Sequence, residues 1–235
     1  MHIATITVGL LIAIGLEQSV EALHHRHQRH QLEEDLREEG QRNRETVRKD
    51  LEYRTAFMVW DLEVSDCAKE ALAGRIVPLR PRPDTDPSFQ ANYRYIVPSN
   101  SVWSVAKSGG EAGLLPSSEA LVYTRLYRVH ELVTELDLES RKVNADYNTA
   151  LLSVSNDPPH LPSTLEHLTP AQLSALQAAA LREYATASAL RSMIAVFGGA
   201  NDAVLGGAKT EQEVVEGIYR GQYAVSAPQP THGTY

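Results

Sequence analysis

The chain is poor in residue types that support several common kinds of chemistry. It has one cysteine, Cys67, among 235 residues, so it can form neither an intrachain disulfide nor a metal site built from several cysteines. Aromatic residues make up only 6% of the chain. We expect Cys67 to be a small apolar helix residue, and Trp60 and Trp103 to be packing anchors.

Positive charge is also scarce. The chain carries 22 lysines and arginines against 30 acidic residues, for a net charge of -8. A general nucleic-acid-binding protein needs a basic face to pair with phosphates. The composition therefore argues against nucleic acid as a partner.

Helix-breaking residues are missing from a long stretch near the N-terminus. Between Glu17 and Ala73 there is no proline, and Gly40 is the only glycine. Nowhere does the chain show a useful length of the apolar–polar alternation that marks a strand. These absences predict one long helix and an all-α fold class.

The N-terminus carries an uncharged apolar run, Ile3–Leu16. As a helix this run covers roughly 21 Å of a bilayer core about 30 Å thick. Including the next few residues gives a spanning length, so we predict a membrane-anchor helix over residues 1–23. Gly9 and Ala13 form a small-xxx-small pair that lets another helix approach closely. A cleaved signal peptide and a buried core helix are the alternatives.

Behind the anchor, the sequence predicts a polar arm, a helical bundle and a tail. Apolar residues are nearly absent from the arm, whereas the bundle contains three amphipathic segments separated in part by a proline-rich connector. The predicted parts are the arm at 24–46, the bundle at 47–225 with its connector at 74–100, and a disordered tail at 226–235. Because each amphipathic segment must bury its stripe against the others, or against another copy, we predict an antiparallel three-helix bundle.

The second and third amphipathic segments, near 117–154 and 170–197, have the clearest helix signals. In the second, apolar residues are spaced alternately by four and three, with one gap at Ser140, as in a heptad seam. The third opens with a capping box, Thr169 to Gln172, with proline at the first helical position. We interpret Gly198-Gly199 as the end of that helix.

Motifs typical of catalysis are absent. There is no Gly-x-Ser-x-Gly nucleophile elbow. The segment Gly206–Thr210 lacks the order of a phosphate-binding loop, in which glycine directly precedes lysine. Asp137, Glu139 and Asp146 are interpreted as surface charges of a helix. The sequence therefore predicts a protein that is not an enzyme and calls for no cofactor.

One cluster with metal-ligand chemistry follows the anchor. Glu21, His24, His27 and His30 recur every three residues, and Glu-x-x-His is a motif of carboxylate-bridged di-metal bundles. Those bundles need a second copy of the motif, which a symmetric oligomer would have to supply. Alternatively, these residues form a juxtamembrane band that is partly protonated near anionic headgroups.

Two segments resemble a group of bacterial single-pass membrane proteins of unknown function. They are the run from Val8 to Ile14 with Glu21 behind it, and the stretch from Trp103 to Tyr127 (WSVAKSGGEAGLLPSSEALVYTRLY). In that group a basic stretch precedes the span and a coiled-coil region follows it. The resemblance implies an inner-membrane protein with a periplasmic C-terminal domain.

The basic stretch is absent from this sequence. Positive charges within about 15–20 residues of a span favour the cytoplasmic side, and here the nearest ones, Arg26 and Arg29, follow the span. These two residues favour the opposite orientation, with the C-terminal domain in the cytoplasm.

These observations predict a non-enzymatic, membrane-anchored helical scaffold or accessory subunit of a membrane complex. Its expected partners are the lipid bilayer and either another copy of the chain or another membrane protein. The alternative is a metal-binding or pH-sensing membrane protein that uses the histidines after the anchor.

Overall fold

The computed structural model describes residues 2–87, 89, 97–155 and 161–224, with side chains from Ile14 onward. Within these ranges every regular element is helical, which confirms the predicted all-α class. The α-helices are α1 (His2–Leu72), α2 (Ser101–Gly109), α3 (Ser117–Leu152), α4 (Pro170–Leu205) and α5 (Glu211–Ala224). Two short 3-10 turns occur at Pro83–Thr85 and Glu111–Leu114.

Helix α1 is continuous over 71 residues, which at the usual rise corresponds to roughly 105 Å. The absence of proline permits this length, because nothing removes a backbone hydrogen bond along the way. Its one internal glycine within the bundle, Gly40, faces α4, where the Asn201 side chain donates a hydrogen bond of 2.9 Å to the Gly40 carbonyl. The predicted long helix is therefore present.

The long helices do not alternate in direction as predicted. Residues further along α1 contact residues further along α3, so these two helices run in the same direction. Residues further along α1 contact earlier residues of α4, so those two helices run in opposite directions. The pairs that fix these directions are Glu39–Tyr127 and Trp60–Tyr147 for α1 with α3, and Gly40–Asn201 and Thr55–Arg191 for α1 with α4. The antiparallel prediction is correct for α3 and α4, but wrong for α1 and α3, which are parallel.

The proline-rich connector makes this parallel arrangement possible, because it runs back along α1. The Trp60 indole donates to the Arg80 carbonyl at 3.1 Å near the far end of α1. At the near end, the Asn43 amide exchanges two hydrogen bonds with the backbone of Ser99, at 2.8 and 2.7 Å. The connector thus brings the chain back to the near end of α1 before the next helix begins.

The helix backbones are unevenly spaced. Helix α4 packs closely against both α1 and α3, while α1 and α3 stand further apart. Large side chains bridge that wider gap and form two apolar clusters. One cluster surrounds Phe197 and Trp103, and the other surrounds Trp60 and Leu176. A layer of polar side chains lies between the two clusters.

Glycines set the close approach of α4 and α5. A Cβ atom at Gly199 would overlap the backbone carbonyl of Gly217, and one at Gly217 would come within 2.7 Å of the Ala203 methyl. Gly221 makes a similar approach to Ala195. Such small-residue contacts allow helix backbones to touch. The predicted helix end at Gly198-Gly199 is wrong, because α4 continues to Leu205 and Gly199 packs against α5. The predicted capping box at Thr169 is confirmed.

The bundle begins earlier on α1 than the sequence indicates. Leu32, Leu36, Glu39 and Asn43 are all buried, so the second half of the predicted polar arm belongs to the bundle. Their spacing of three and four places them on one face of α1. The sequence looked polar there because two of the four buried positions are an acid and an amide.

The predicted anchor falls largely outside the described side chains. Gly9 and Ala13, the predicted helix-packing pair, lie in that part of α1. The predicted tail at 226–235 lies outside the described residues altogether. No helix within the described residues has a stretch long and apolar enough to cross a membrane.

Candidate functional site

A polar cavity of about 320 Å³ lies between the two apolar clusters, where α1, α3 and α4 meet the connector. Aromatic rings of α1 form one wall and polar side chains of all three helices form the others. The lining residues are Tyr53, Arg54, Phe57, Trp60, Asp61, Arg82, Asp137, Ser140, Arg141, Asn144, Tyr147, Glu183 and Ala187. Its volume is at the lower end of small-molecule sites in proteins.

A buried ion-pair network forms one end of the cavity. The Arg54 guanidinium donates a hydrogen bond of 3.0 Å to the Asp50 carboxylate and lies 3.6 Å from the carboxylate of Asp137. Asp137 also accepts a hydrogen bond of 2.9 Å from Arg141, which reaches it from the surface. Burial raises the pKa of Asp50, and Arg54 opposes that shift. Arg54 is therefore already matched by two carboxylates.

The other end of the cavity holds two carboxyl groups that form no ion pair in the described part of the chain. Asp61 is 2% exposed and Glu183 is 8% exposed. Burial, helped by repulsion from Glu183, raises the pKa of Asp61 to about 8. Burial also raises the pKa of Glu183, while the Asn144 amide, which donates to its Oε1 at 3.1 Å, lowers it. Asp61 consequently holds a proton at neutral pH.

Several polar atoms at this end have no hydrogen-bond partner. Glu183 Oε2 and the Tyr147 hydroxyl are both buried and unpaired within the described residues. The Tyr147 hydroxyl adjoins the Asp61 carboxyl without forming a well-aligned hydrogen bond, and burial raises its pKa well above the ordinary value. A buried polar atom without a hydrogen bond makes folding less favourable. Such atoms at one end of a cavity are therefore a feature expected of a binding site for another molecule.

The connector contributes a cation to the cavity. The Arg82 guanidinium lies 5.3 Å from the ring centre of Phe57 and 5.5 Å from that of Trp60. It also lies 3.2 Å from the carboxylate of Asp84. Arg82 is thus held by cation–π contacts and by one ion pair, and it lies over part of the aromatic wall.

A second buried polar centre, at Glu39, is fully satisfied. Its carboxylate accepts hydrogen bonds from the Tyr127 hydroxyl at 2.6 Å, from two serine hydroxyls and from the backbone amide of Val102. Although burial acts to raise the pKa of Glu39, these donors together lower it. Val102 lies in the first turn of α2, so Glu39 caps that helix from outside and favours its position beside α1. This role is structural.

The chemistry available in the cavity is limited. The described lining contains no histidine, cysteine or lysine; the hydroxyls of Ser140 and Tyr147 are present without a histidine base beside them. Asp61 can give up or take a proton near neutral pH, which is the property required of an acid–base group or of a charge-sensitive binding site. The arrangement fits binding better than nucleophilic catalysis.

The predicted metal ligands lie far from this cavity. Glu21, His24, His27 and His30 are exposed on the first turns of α1 that the structure describes in full. Among the described residues, no three histidine, cysteine or acidic side chains are placed to hold a metal ion. The structure therefore does not bring the four candidates together within one chain.

Sequence reasoning missed the cavity, although signals for it are present. Asp137, interpreted as a surface charge, is buried. Ser140, the gap in the heptad seam, lines the cavity, and so does Arg54, which interrupts an apolar stripe. A polar residue at a position whose spacing predicts burial is the signal that could have located the site.

Comparisons with known protein families, with curated proteins and with solved structures find no match for this chain.

Proposed function

We propose that this chain is a non-enzymatic, membrane-anchored helical scaffold or accessory subunit of a membrane complex. The observation that supports this most directly is the form of α1. Its C-terminal part is embedded in the bundle, while every described side chain from Ile14 to His27 is exposed. A single unbroken helix therefore joins the apolar N-terminus rigidly to the bundle.

The projecting part of α1 carries an uncovered apolar stripe. Leu16, Val20 and Leu23 are each 63–66% exposed, and their spacing of four and three places them on one face. Bundle-facing residues such as Leu32 and Leu36 lie on the opposite face of the helix. The stripe thus points away from the bundle, towards lipid or a partner helix, and covering it would bring the favourable free energy of apolar burial.

Membrane association can be tested with three charged substitutions. In vesicle flotation of the full chain, we expect the wild type to rise with the lipid and Leu16→Glu/Val20→Glu/Leu23→Glu to lose much of that association, because three carboxylates would enter the interface. The matched control carries the same substitutions at exposed apolar positions of the bundle. These are Val105, Leu138 and Leu152. Equal flotation of both variants would contradict the proposal.

The scaffold role has its own test. In mild detergent, we expect the full chain to behave as an oligomer or to co-purify with another membrane protein. A monodisperse monomer without a partner would count against this role.

For localisation we propose the bacterial inner membrane with a periplasmic C-terminal domain, which an alkaline phosphatase fused behind the tail would report by its activity.

The second candidate is metal binding between copies of the chain. His27 and His30 continue the alternating spacing of four and three set by Leu16, Val20 and Leu23, so two α1 helices paired along this stripe would bring these histidines together. We expect His27→Ala/His30→Ala to abolish any stoichiometric metal in the purified protein, and His25→Ala, on another face, to retain it. The same metal content in both variants would exclude this site.

A further inference from the structure

Side chains with oxygen atoms gather at the end of the cavity around Asp61. Glu183 Oε2 and the Tyr147 hydroxyl lack partners in the described part of the chain, and both residues are more than nine-tenths buried. Asp61 lies beside them and is 2% exposed. Three buried oxygen groups thus converge on one small space.

The cations of the cavity are already matched. Arg54 contacts the carboxylates of Asp50 and Asp137, and Arg82 contacts Asp84. Neither Asp61 nor Glu183 forms an ion pair within the described residues. The charge that no group of the cavity matches is therefore the negative charge that Asp61 and Glu183 carry when they are ionised.

These features favour one class of ligand. A dicarboxylate or phosphate would find both arginines already paired with carboxylates. A metal ion would find no third histidine, cysteine or acidic ligand among the described residues. An ammonium group carries three N–H donors, which matches the three oxygen groups. The rings of Tyr53, Phe57 and Trp60 provide an apolar wall for a short carbon chain.

We propose that this cavity binds a small organic cation through a primary ammonium group held by Asp61, Tyr147 and Glu183. The bound ammonium group takes the place of a proton on Asp61. Binding is therefore weakest at acidic pH and strengthens as the pH rises. The charged and titratable groups that line the cavity with Asp61 are Tyr53 and Arg54 on α1, Asp137, Arg141 and Tyr147 on α3, Glu183 on α4, and Arg82 on the connector. This inference does not depend on membrane attachment.

The ligand class can be tested with three probes that share one carbon chain. Butylammonium, 1-butanol and butyrate are titrated into the full chain in mild detergent and followed by NMR. We expect saturable shifts around the cavity with butylammonium alone. Equal responses to butylammonium and 1-butanol, or no saturable response to butylammonium, would overturn the proposal.

The residues can be tested with isosteric substitutions. We expect Asp61→Asn and Glu183→Gln each to weaken butylammonium binding at least tenfold at pH 8, and the exposed control Asp66→Asn to leave it unchanged. Circular dichroism checks that each variant is folded, and Tyr147→Phe, which removes only the hydroxyl, is the substitute if either carboxyl variant fails to fold. Binding that survives these substitutions lies elsewhere and refutes the assignment.

The pH dependence separates proton displacement from simple attraction. Between pH 6 and pH 8 we expect the affinity of the wild type to rise by up to tenfold per pH unit, because each bound cation replaces one proton. Asp61→Asn should show a much flatter profile. Parallel profiles for the two proteins would refute the displacement step.

Discussion

Asp61→Asn should change how the stability of the bundle depends on pH. In the folded protein burial and Glu183 raise the pKa of Asp61 from 3.8 to about 8. The folded state therefore keeps the proton over a pH range in which the unfolded chain has lost it. Unfolding releases a proton in that range, so stability falls as the pH rises from about 4 to about 8.

The size of the effect follows from the same pKa values. Each pH unit inside the window costs about 1.4 kcal/mol, so Asp61 alone should lower the free energy of unfolding by roughly 2–3 kcal/mol between pH 5 and pH 7. Asparagine cannot ionise and keeps nearly the same shape. Between pH 5 and pH 7 the free energy of unfolding of the wild type should therefore fall by roughly 2–3 kcal/mol more than that of Asp61→Asn.

The measurement is urea unfolding of the full chain in mild detergent at several pH values, followed by circular dichroism. Asp66→Asn, an exposed aspartate on the same helix, serves as the matched control and should follow the wild type. If Asp61→Asn and the wild type show the same slope between pH 5 and pH 7, Asp61 does not hold a proton in the folded state. The proton-displacement step proposed for the cavity would then fail as well.

Three further substitutions test the packing. Glu39→Gln should lower the free energy of unfolding by roughly 2–3 kcal/mol, because its amide group turns a donor towards other donors, whereas the exposed Glu38→Gln should be nearly neutral. The pKa of Glu39 is lowered in the folded state. The stability that Glu39 contributes is therefore present above the ordinary carboxyl pKa and disappears as the pH falls through the lower folded value. Gly217→Ala should release α5 from α4, seen as faster amide exchange in α5, whereas Gly109→Ala, with open space around it, should not. Arg54→Met should cost roughly 3–5 kcal/mol in urea unfolding, because it leaves the buried carboxylate of Asp50 without its cation and removes one of the two arginines beside Asp137. If Glu39→Gln or Arg54→Met leaves the free energy of unfolding unchanged, the corresponding prediction is wrong. The same holds if Gly217→Ala leaves amide exchange in α5 unchanged.

The sequence by itself determined that the chain is helical and where α4 begins. The absence of proline after Glu17 allows the 71-residue α1, and the capping box at Thr169 marks the start of α4. These features depend on local backbone chemistry, namely the loss of hydrogen bonds at proline and the pairing of free amides at a helix start. Neighbours along the chain suffice to establish them.

Only the tertiary structure decided the direction of the helices and the place of the cavity. Spacing shows which face of α1 or α3 is apolar, but the connector returns the chain along α1 and so makes the two helices parallel. No periodicity in the sequence records that return. In the same way, Asp137 looks like a surface residue until Arg54 approaches it from another helix. Burial of a charge depends on partners distant in sequence, which is why its pKa and its role could not be predicted from the chain alone.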